Sequence, residues 1–159
     1  MSQYLTLLKL IQAEYRLGLT LQDCLVNERQ QLESQDLALL QISLCKKAEL
    51  LTEIEAARET RNAYLARIGV VANPEELIVH LEKLEDSSAT ACVEALQECQ
   101  ESFNLSKKYN ELNGLLIVNS RKRNAHKLDI LKGVHEEQKI YNARGQTSPA
   151  GSQHSRKLA

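Results

Sequence analysis

Apolar residues in this chain recur every three or four positions over most of its length. The first such series comprises Tyr4, Leu7, Leu8, Ile11, Gly18, Leu21, Leu25 and Leu32. This spacing places the series along one side of an α-helix, whereas a strand would need alternation with a period of two. The chain also has two prolines, six glycines, one phenylalanine and no tryptophan, too few turn and aromatic residues for a many-stranded β fold. The periodicity therefore predicts an all-α protein.

A second helical stretch follows residues 34–36, which are polar and can cap a helix. Its apolar positions lie in heptad register at Leu37, Leu40, Leu44, Leu51, Ile54, Leu65 and Ile68. Gly69 ends the pattern, and Arg58 and Arg61 in the same register indicate a seam that opens to solvent or to the rest of the protein near its far end. Two helices of about 30 residues joined by a short link predict an elongated antiparallel hairpin, ~45–50 Å long.

Two further helices are predicted in the second half. Asn73 and Pro74, followed by two glutamates, are typical of a helix start. After a polar break at residues 86–88, an apolar series that begins at Cys92 predicts a long last helix running towards Ile140. This helix is apolar on two sides, so it either lies sandwiched within a bundle or turns one face to the core and one to a partner.

Composition excludes several classes of protein. Hydrophobic residues make up 43% of the chain and charged residues 26%, which is typical of a globular protein and not of a disordered one. No apolar run approaches the roughly 18–20 residues that span a bilayer, and the first residues lack the basic region of a signal peptide. We therefore expect a cytoplasmic protein without stable membrane insertion.

The two parts of the chain differ in charge. Residues 1–120 carry 11 basic and 18 acidic side chains, whereas residues 121–159 carry 9 and 3. The cluster Arg121, Lys122 and Arg123 is the best candidate for contacts with phosphates. Because Tyr141 is the only aromatic residue in that region, stacking on bases has little support. We expect no nucleic-acid binding and interpret these cations as a solvated segment.

The usual catalytic and metal-binding patterns are missing. The sequence has no phosphate-binding loop, dinucleotide fingerprint, zinc-protease motif or nucleophile elbow, and we expect no catalytic residue, metal or cofactor. The four cysteines are Cys24, Cys45, Cys92 and Cys99. They have no C-x-x-C spacing, and we predict that they fill the core as small apolar side chains.

Several segments match a known family in order and spacing. They are Asn110-x-x-Asn113-Gly114-Leu115-Leu116, Leu128-x-x-Leu131-Lys132 and Ile140-Tyr141-x-Ala143-x-Gly145-Gln146-Thr147-Ser148. Upstream, Glu28 precedes Leu32 and later Lys46 or Lys47. With these residues the chain resembles the FlgN family of flagellar type III secretion chaperones over nearly its whole length.

The resemblance implies a non-enzymatic cytoplasmic chaperone without a cofactor. Such a chaperone binds the C-terminal regions of the hook–filament junction proteins FlgK and FlgL, prevents their premature association and delivers them to the export gate FlhA. Tyr141 matches the tyrosine that docks on the gate; from the sequence alone it could equally pin the helix end onto the bundle. The candidate face for a helical cargo segment comprises Leu112, Leu115, Leu116 and Val118.

Two regions are expected along the chain. Residues 1–145 are predicted to form the FlgN-like helical chaperone domain. Residues 146–159 are small and polar, and we predict a disordered tail because they cannot bury enough surface to offset the entropy of ordering. The alternative function is a generic coiled-coil adaptor or scaffold without an export role. The two-sided last helix could also serve a homodimer.

Overall fold

The computed structural model describes residues 3–132 and contains four α-helices in that range. They are α1 (Gln3–Ser34), α2 (Leu37–Arg67), α3 (Pro74–Glu82) and α4 (Ser87–Leu131). The described residues form no strand. The all-α prediction is therefore confirmed, including the order of two long helices, one short helix and a long last helix.

The turn between α1 and α2 is closed by local hydrogen bonds. Gln35 adopts a positive φ of 59°, which lets the chain leave α1. Asp36 is the N-cap of α2, and its carboxylate accepts a hydrogen bond of 3.0 Å from the amide of Leu39. This bond satisfies one of the amides that a helix start leaves without a partner, and it confirms the cap that the sequence predicted.

The link from α2 to α3 follows the predicted signals. Gly69 has a φ of 73°, a left-handed conformation that glycine adopts without steric cost, and it lies directly after the C-cap residue Ile68. The side chain of Asn73 accepts hydrogen bonds from the amides of Glu75 and Glu76. With Pro74 in the first turn, α3 begins where the sequence places it.

Charged contacts show the directions of the first two helices. Glu14 of α1 contacts Arg61 of α2, and Glu28 of α1 contacts Lys47 of α2. Residues late in α1 thus meet residues early in α2. The predicted antiparallel hairpin is confirmed.

Helix α4 runs alongside α1 in the same direction. The thiol of Cys92 donates to the carbonyl of Tyr4, and the amide of Asn113 donates to the carbonyl of Leu25. Gly18 permits a close approach, because a Cβ there would lie 3.0 Å from Oγ of Ser102.

The main hydrophobic core joins the start of α1, the end of α2, α3 and the start of α4. Its buried members are Tyr4, Leu7, Ile11, Leu65, Leu77, Leu81, Ala89, Cys92, Ala95, Leu96 and Cys99. A smaller cluster of Leu21, Leu25 and Ile54 continues along the hairpin. Apart from Tyr4, Cys92 and Cys99, these side chains are aliphatic.

The register predicted for the first half of α2 is wrong. The buried positions of this helix are Ser43, Leu50, Ile54, Arg61 and Leu65. The leucines that were expected to line the seam, Leu37, Leu44 and Leu51, are exposed. Leu44 and Leu51 each lie one residue after a buried position, Ser43 and Leu50, which turns them roughly 100° away from the buried face.

Two further expectations from the sequence are corrected. Arg61 was expected where the seam opens, yet it is buried against Glu14; Arg58 is half-exposed. Cys24, Cys92 and Cys99 are buried as predicted, but Cys45 is exposed. Position within a helix face, and not residue type, decides which thiol is covered.

The chain divides into two compact units, the first ending at Ile117 and the second beginning at Val118. In the described part of the second unit, Leu128, Ile130 and Leu131 are exposed. The predicted tail, residues 146–159, lies outside the described residues, so the boundary at residue 145 stays a prediction. Within residues 3–132, no helix combines the length and the hydropathy needed to cross a bilayer.

Candidate functional site

A cluster of polar side chains joins α1, α2 and α4 near the α1–α2 turn. The ammonium of Lys47 donates to both carboxylate oxygens of Glu28, at 3.2 and 3.1 Å, and to Oδ1 of Asn110 at 2.7 Å. The amide nitrogen of Asn113 donates to the carbonyl of Leu25 at 2.9 Å and to Glu28 at 3.1 Å. Glu28 therefore accepts from one side chain on each of the other two helices.

The burial of this cluster makes its geometry costly to change. Glu28 and Asn113 are each 1% exposed, and a buried charge needs a partner because desolvation disfavours the charged form. A slip of α4 along α1 would separate Asn113 from Glu28 and leave the carboxylate short of donors. The cluster thus specifies the register of three helices, the role that asparagines in a helical seam commonly have.

A second buried ion pair lies farther along the hairpin. Nη1 of Arg61 is 3.2 Å from Oε2 of Glu14, and both side chains are buried. Burial raises the pKa of Glu14, and the charges of Arg61 and Arg58 oppose this effect without cancelling it. Within residues 3–132, Oε2 of Glu14 and Nε of Arg61 have no hydrogen-bond partner, and in the cluster around Glu28 the same holds for Oδ1 of Asn113.

Beside the polar cluster, α1, α2 and α4 border an open groove whose cavity has a volume of about 230 Å³. Leu21 and Leu25 of α1 are buried at this groove, Phe103 of α4 is half-buried, and Leu51 of α2 is exposed. The remaining lining residues are Lys47, Ser106, Lys107 and Asn110. The groove therefore combines apolar side chains with two cations.

The leucines proposed from the sequence as a cargo face differ in exposure. In the first unit, Leu115 is 60% exposed, whereas Leu112 and Leu116 are partly buried. Val118, in the second unit, is 47% exposed. Leu115 and Val118 offer apolar surface directly, while Leu112 and Leu116 already have part of theirs covered.

The family-pattern positions on α4 have separate surroundings. Asn110 and Asn113 both join the polar cluster. A Cβ at Gly114 would meet no atom within 4 Å, so the packing of the described residues does not require glycine there. Gly145 and Tyr141 lie outside the described residues.

Metal ligation and nucleophilic chemistry would depend on the thiols, histidines and acids of the chain. Residues 3–132 contain no group of three or more His, Cys, Asp or Glu side chains that could hold a metal ion. Burial raises the pKa of Cys92 and that of Cys99 to about 11, which keeps both thiols protonated and poorly nucleophilic.

Sequence reasoning alone did not predict the ion pairs or the groove. The pairing of Glu28 with Lys47 had one signal, the occurrence of both residues in the family pattern. The burial of Arg61 had no such signal. The groove depends on Phe103, Leu51 and Leu21, which are distant in sequence and meet only through packing.

A comparison with known protein families gives a match over most of the chain. A sequence model of a protein family, described as FlgN protein, matches residues 1–149. No curated protein and no solved structure matches the chain. The match covers the polar cluster, the groove and Tyr141.

Proposed function

The chain belongs to the FlgN family of flagellar export chaperones, and on that basis we propose that it escorts the hook–filament junction proteins FlgK and FlgL. It binds their C-terminal regions in the cytoplasm, prevents their premature association and delivers them to the export gate FlhA. The family is one of chaperones, not of enzymes. Its cargo is other proteins.

The observation that carries this proposal is the family match over residues 1–149. The exposed apolar side chains are compatible with it, because a helical cargo segment binds by burying its apolar face against such residues. Leu115 at 60% exposure is the best placed of the four α4 residues. Ordering a flexible cargo segment commonly costs about 2–5 kcal/mol, so several apolar contacts are needed.

Calorimetric titration with the isolated C-terminal segment of the FlgK-like protein from the same genome tests the function. We expect saturable binding at a fixed ratio, and the same for the FlgL-like segment. Absence of binding to both segments would contradict the junction-protein assignment.

The proposed cargo face on α4 is tested by substitution. Because Leu115 is exposed, Leu115→Ser should weaken cargo binding with helicity unchanged in circular dichroism. Leu116→Ala should also weaken binding, but this residue is partly buried. A loss of helicity in Leu116→Ala would assign Leu116 to the core, and unchanged binding in both variants would remove this face from the proposal.

Gate docking is proposed for Tyr141. A tyrosine provides a large apolar ring and one hydroxyl for a directed hydrogen bond at low entropic cost. Tyr141→Ala should retain cargo binding and lose binding to the cytoplasmic domain of FlhA, together with motility. Loss of cargo binding as well would indicate a structural role for the tyrosine.

A generic coiled-coil adaptor is the second candidate, favoured by the exposed heptad positions Leu37, Leu44 and Leu51. An adaptor of this kind would associate with itself or with folded helical partners. Sedimentation equilibrium separates the two functions: a monomer that binds an isolated cargo segment is a chaperone, whereas a stable oligomer without affinity for that segment is an adaptor.

A further inference from the structure

We infer that the groove between α1, α2 and α4 holds an amphipathic helix that presents apolar side chains beside carboxylates. This inference rests on the proposed chaperone function, because the helix would belong to the cargo. It assigns to the cargo a second contact region, defined by Leu21, Leu25, Leu51 and Phe103 with the cations Lys47 and Lys107. We call this region the three-helix groove.

The size of the three-helix groove indicates what it can hold. Its cavity of about 230 Å³ is smaller than the ~300–1,000 Å³ of sites that enclose drug-sized ligands. It is also open to the surface, since Leu51 remains 48% exposed. A space of this size accepts one or two apolar side chains that project from a partner lying across the surface.

The floor of the groove offers little to a polar ligand. Leu21 and Leu25 are buried there. The hydroxyl of Ser106 donates to the carbonyl of Ser102, and its donor is therefore already used. An apolar side chain gains by covering Leu51 and Phe103, whereas the floor offers a polar group no free donor.

The exposed face of α2 extends the groove in a way that fits a helix. Leu37, Leu44 and Leu51 follow one another at seven-residue spacing and are all exposed. Seven residues make nearly two turns, so the three side chains lie along one side of α2. An incoming helix with apolar residues every three or four positions matches this row.

Charge identifies the polar residues of the incoming helix. Lys107 lines the groove, and among residues 3–132 it has no ion-pair partner. Lys47 is neutralised by Glu28, which is buried beneath it. The available charge at the rim is thus positive, and it favours aspartate or glutamate on the partner.

Matched substitutions test the groove with the full chain and the FlgK-like C-terminal segment. Leu51→Ser removes apolar surface from the groove, and Leu39→Ser is its control because Leu39 lies on the same helix, is 49% exposed and does not line the groove. Lys107→Glu reverses the charge at the rim of the groove. Lys108→Glu is its control, because it makes the same change of charge at the neighbouring residue, which does not line the groove. We expect Leu51→Ser and Lys107→Glu each to weaken binding by about tenfold or more, and the two controls by less than about twofold.

Salt provides a second readout of the rim charge. Binding by the unaltered chain should weaken as ionic strength rises, because exposed charges are screened. Lys107→Glu should reduce that dependence, whereas Lys108→Glu should leave it nearly unchanged. A dependence on salt that is identical in the two variants would contradict the role of Lys107.

The outcomes separate the groove from the chaperone function. If the unaltered chain binds the segment and the two groove variants bind equally well, the groove inference is overturned and the function stands. If the unaltered chain binds neither junction-protein segment, both fail. If Leu51→Ser changes the sedimentation of the free chain from a dimer to a monomer, a second copy occupies the groove and the inference is overturned.

Discussion

Where α1 begins and α2 ends, the first unit is held by aliphatic packing; where α1 ends and α2 begins, it is held by polar contacts. The first of these regions, which we call the apolar end, contains Leu7, Leu65 and Leu77 among its fully buried side chains. The second, the polar end, buries Glu28 and Asn113. The buried contacts of the α1–α2 hairpin therefore change from apolar to polar along its length.

The two ends also differ in the surface that they expose. Exposed large hydrophobic residues of α2 are confined to its first half: Leu37, Leu39, Ile42, Leu44 and Leu51. Apolar burial stabilises in proportion to the area covered, whereas a hydrogen bond contributes only about 0.5–1.5 kcal/mol net. This difference indicates that the apolar end supplies most of the stability. The polar end fixes the register of α1, α2 and α4 and leaves apolar surface for a partner.

The largest expected effect is at the apolar end. Leu7→Ala should lower the free energy of unfolding by about 2–5 kcal/mol, because it leaves a cavity where the side chain is fully buried. Urea unfolding followed by circular dichroism measures this loss. Leu37→Ala, at a position 75% exposed, is the control and should change stability by less than about 0.5 kcal/mol. Equal effects in the two variants would refute the assignment of the core.

A smaller loss is expected at the polar end. Glu28→Gln should cost about 1–3 kcal/mol, because Lys47 and Asn113 lose the carboxylate that accepts from both. Lys47 retains Asn110 and some contact with water, which limits the loss. Glu33→Gln is the matched control, since Glu33 pairs with Arg29 on the exposed surface and such pairs contribute about 0–1 kcal/mol. A cost for Glu28→Gln above that for Leu7→Ala would reverse the comparison.

Thiol labelling compares local opening of the two ends. In single-cysteine variants, Cys45 should react at once because it is exposed, whereas Cys24, Cys92 and Cys99 are buried. Cys24 lies at the polar end, and we expect it to react faster than Cys92 and Cys99, which have the larger apolar core around them. Each difference of about 1.4 kcal/mol in opening free energy gives a tenfold difference in rate. Faster labelling of Cys92 would contradict this order.

The pH dependence of stability tests the buried ion pair of Glu14 and Arg61, which lies between the two ends. Since burial raises the pKa of Glu14 above its ordinary value of 4.5, the folded protein holds this proton more tightly than the unfolded chain does. The contribution of Glu14 to the free energy of unfolding therefore grows as pH falls towards 4.5. It is lost as pH rises through the pKa that Glu14 has in the folded protein.

Glu14→Gln removes this titration and serves as the reference. The unfolding free energy of the unaltered chain minus that of Glu14→Gln should be greater near about pH 5 than near about pH 8. Arg61 remains charged throughout, so its loss of a partner in the variant adds a constant offset. A difference that increases with pH would show that Arg61 outweighs burial and lowers the pKa of Glu14.

The sequence predicted the helices well because their signals are local. Asp36 and Asn73 cap α2 and α3 through bonds to amides two or three residues away, and Gly69 takes the positive φ that ends the second helix region. Such contacts need no knowledge of the rest of the fold. Aliphatic periodicity likewise predicted the buried side of α1, where Leu7, Ile11 and Leu25 are covered.

The register of α2 was not predictable in the same way. Leu44 and Ser43 are adjacent, and composition favours burial of the leucine, yet the serine is buried and the leucine exposed. Ser43 accepts from the thiol of Cys24 through its carbonyl. Side-chain hydrophobicity alone cannot choose between two neighbouring helix faces when each carries apolar residues, because the choice depends on what α1 and α4 present to them.

By itself, the sequence determined the all-α class, the four helices of residues 3–132, the N-caps of α2 and α3, and the family. Capping and periodicity act over a few residues, and the family pattern is a property of the sequence. The tertiary structure alone decided that Glu28 meets Lys47 and Asn113, that Arg61 is buried, and that Leu51 and Phe103 border one groove. These pairs are between 19 and 85 positions apart in the sequence, and their meeting depends on the relative rotation and translation of whole helices. That arrangement is set by the sum of many packing and desolvation energies, which no single stretch of sequence contains.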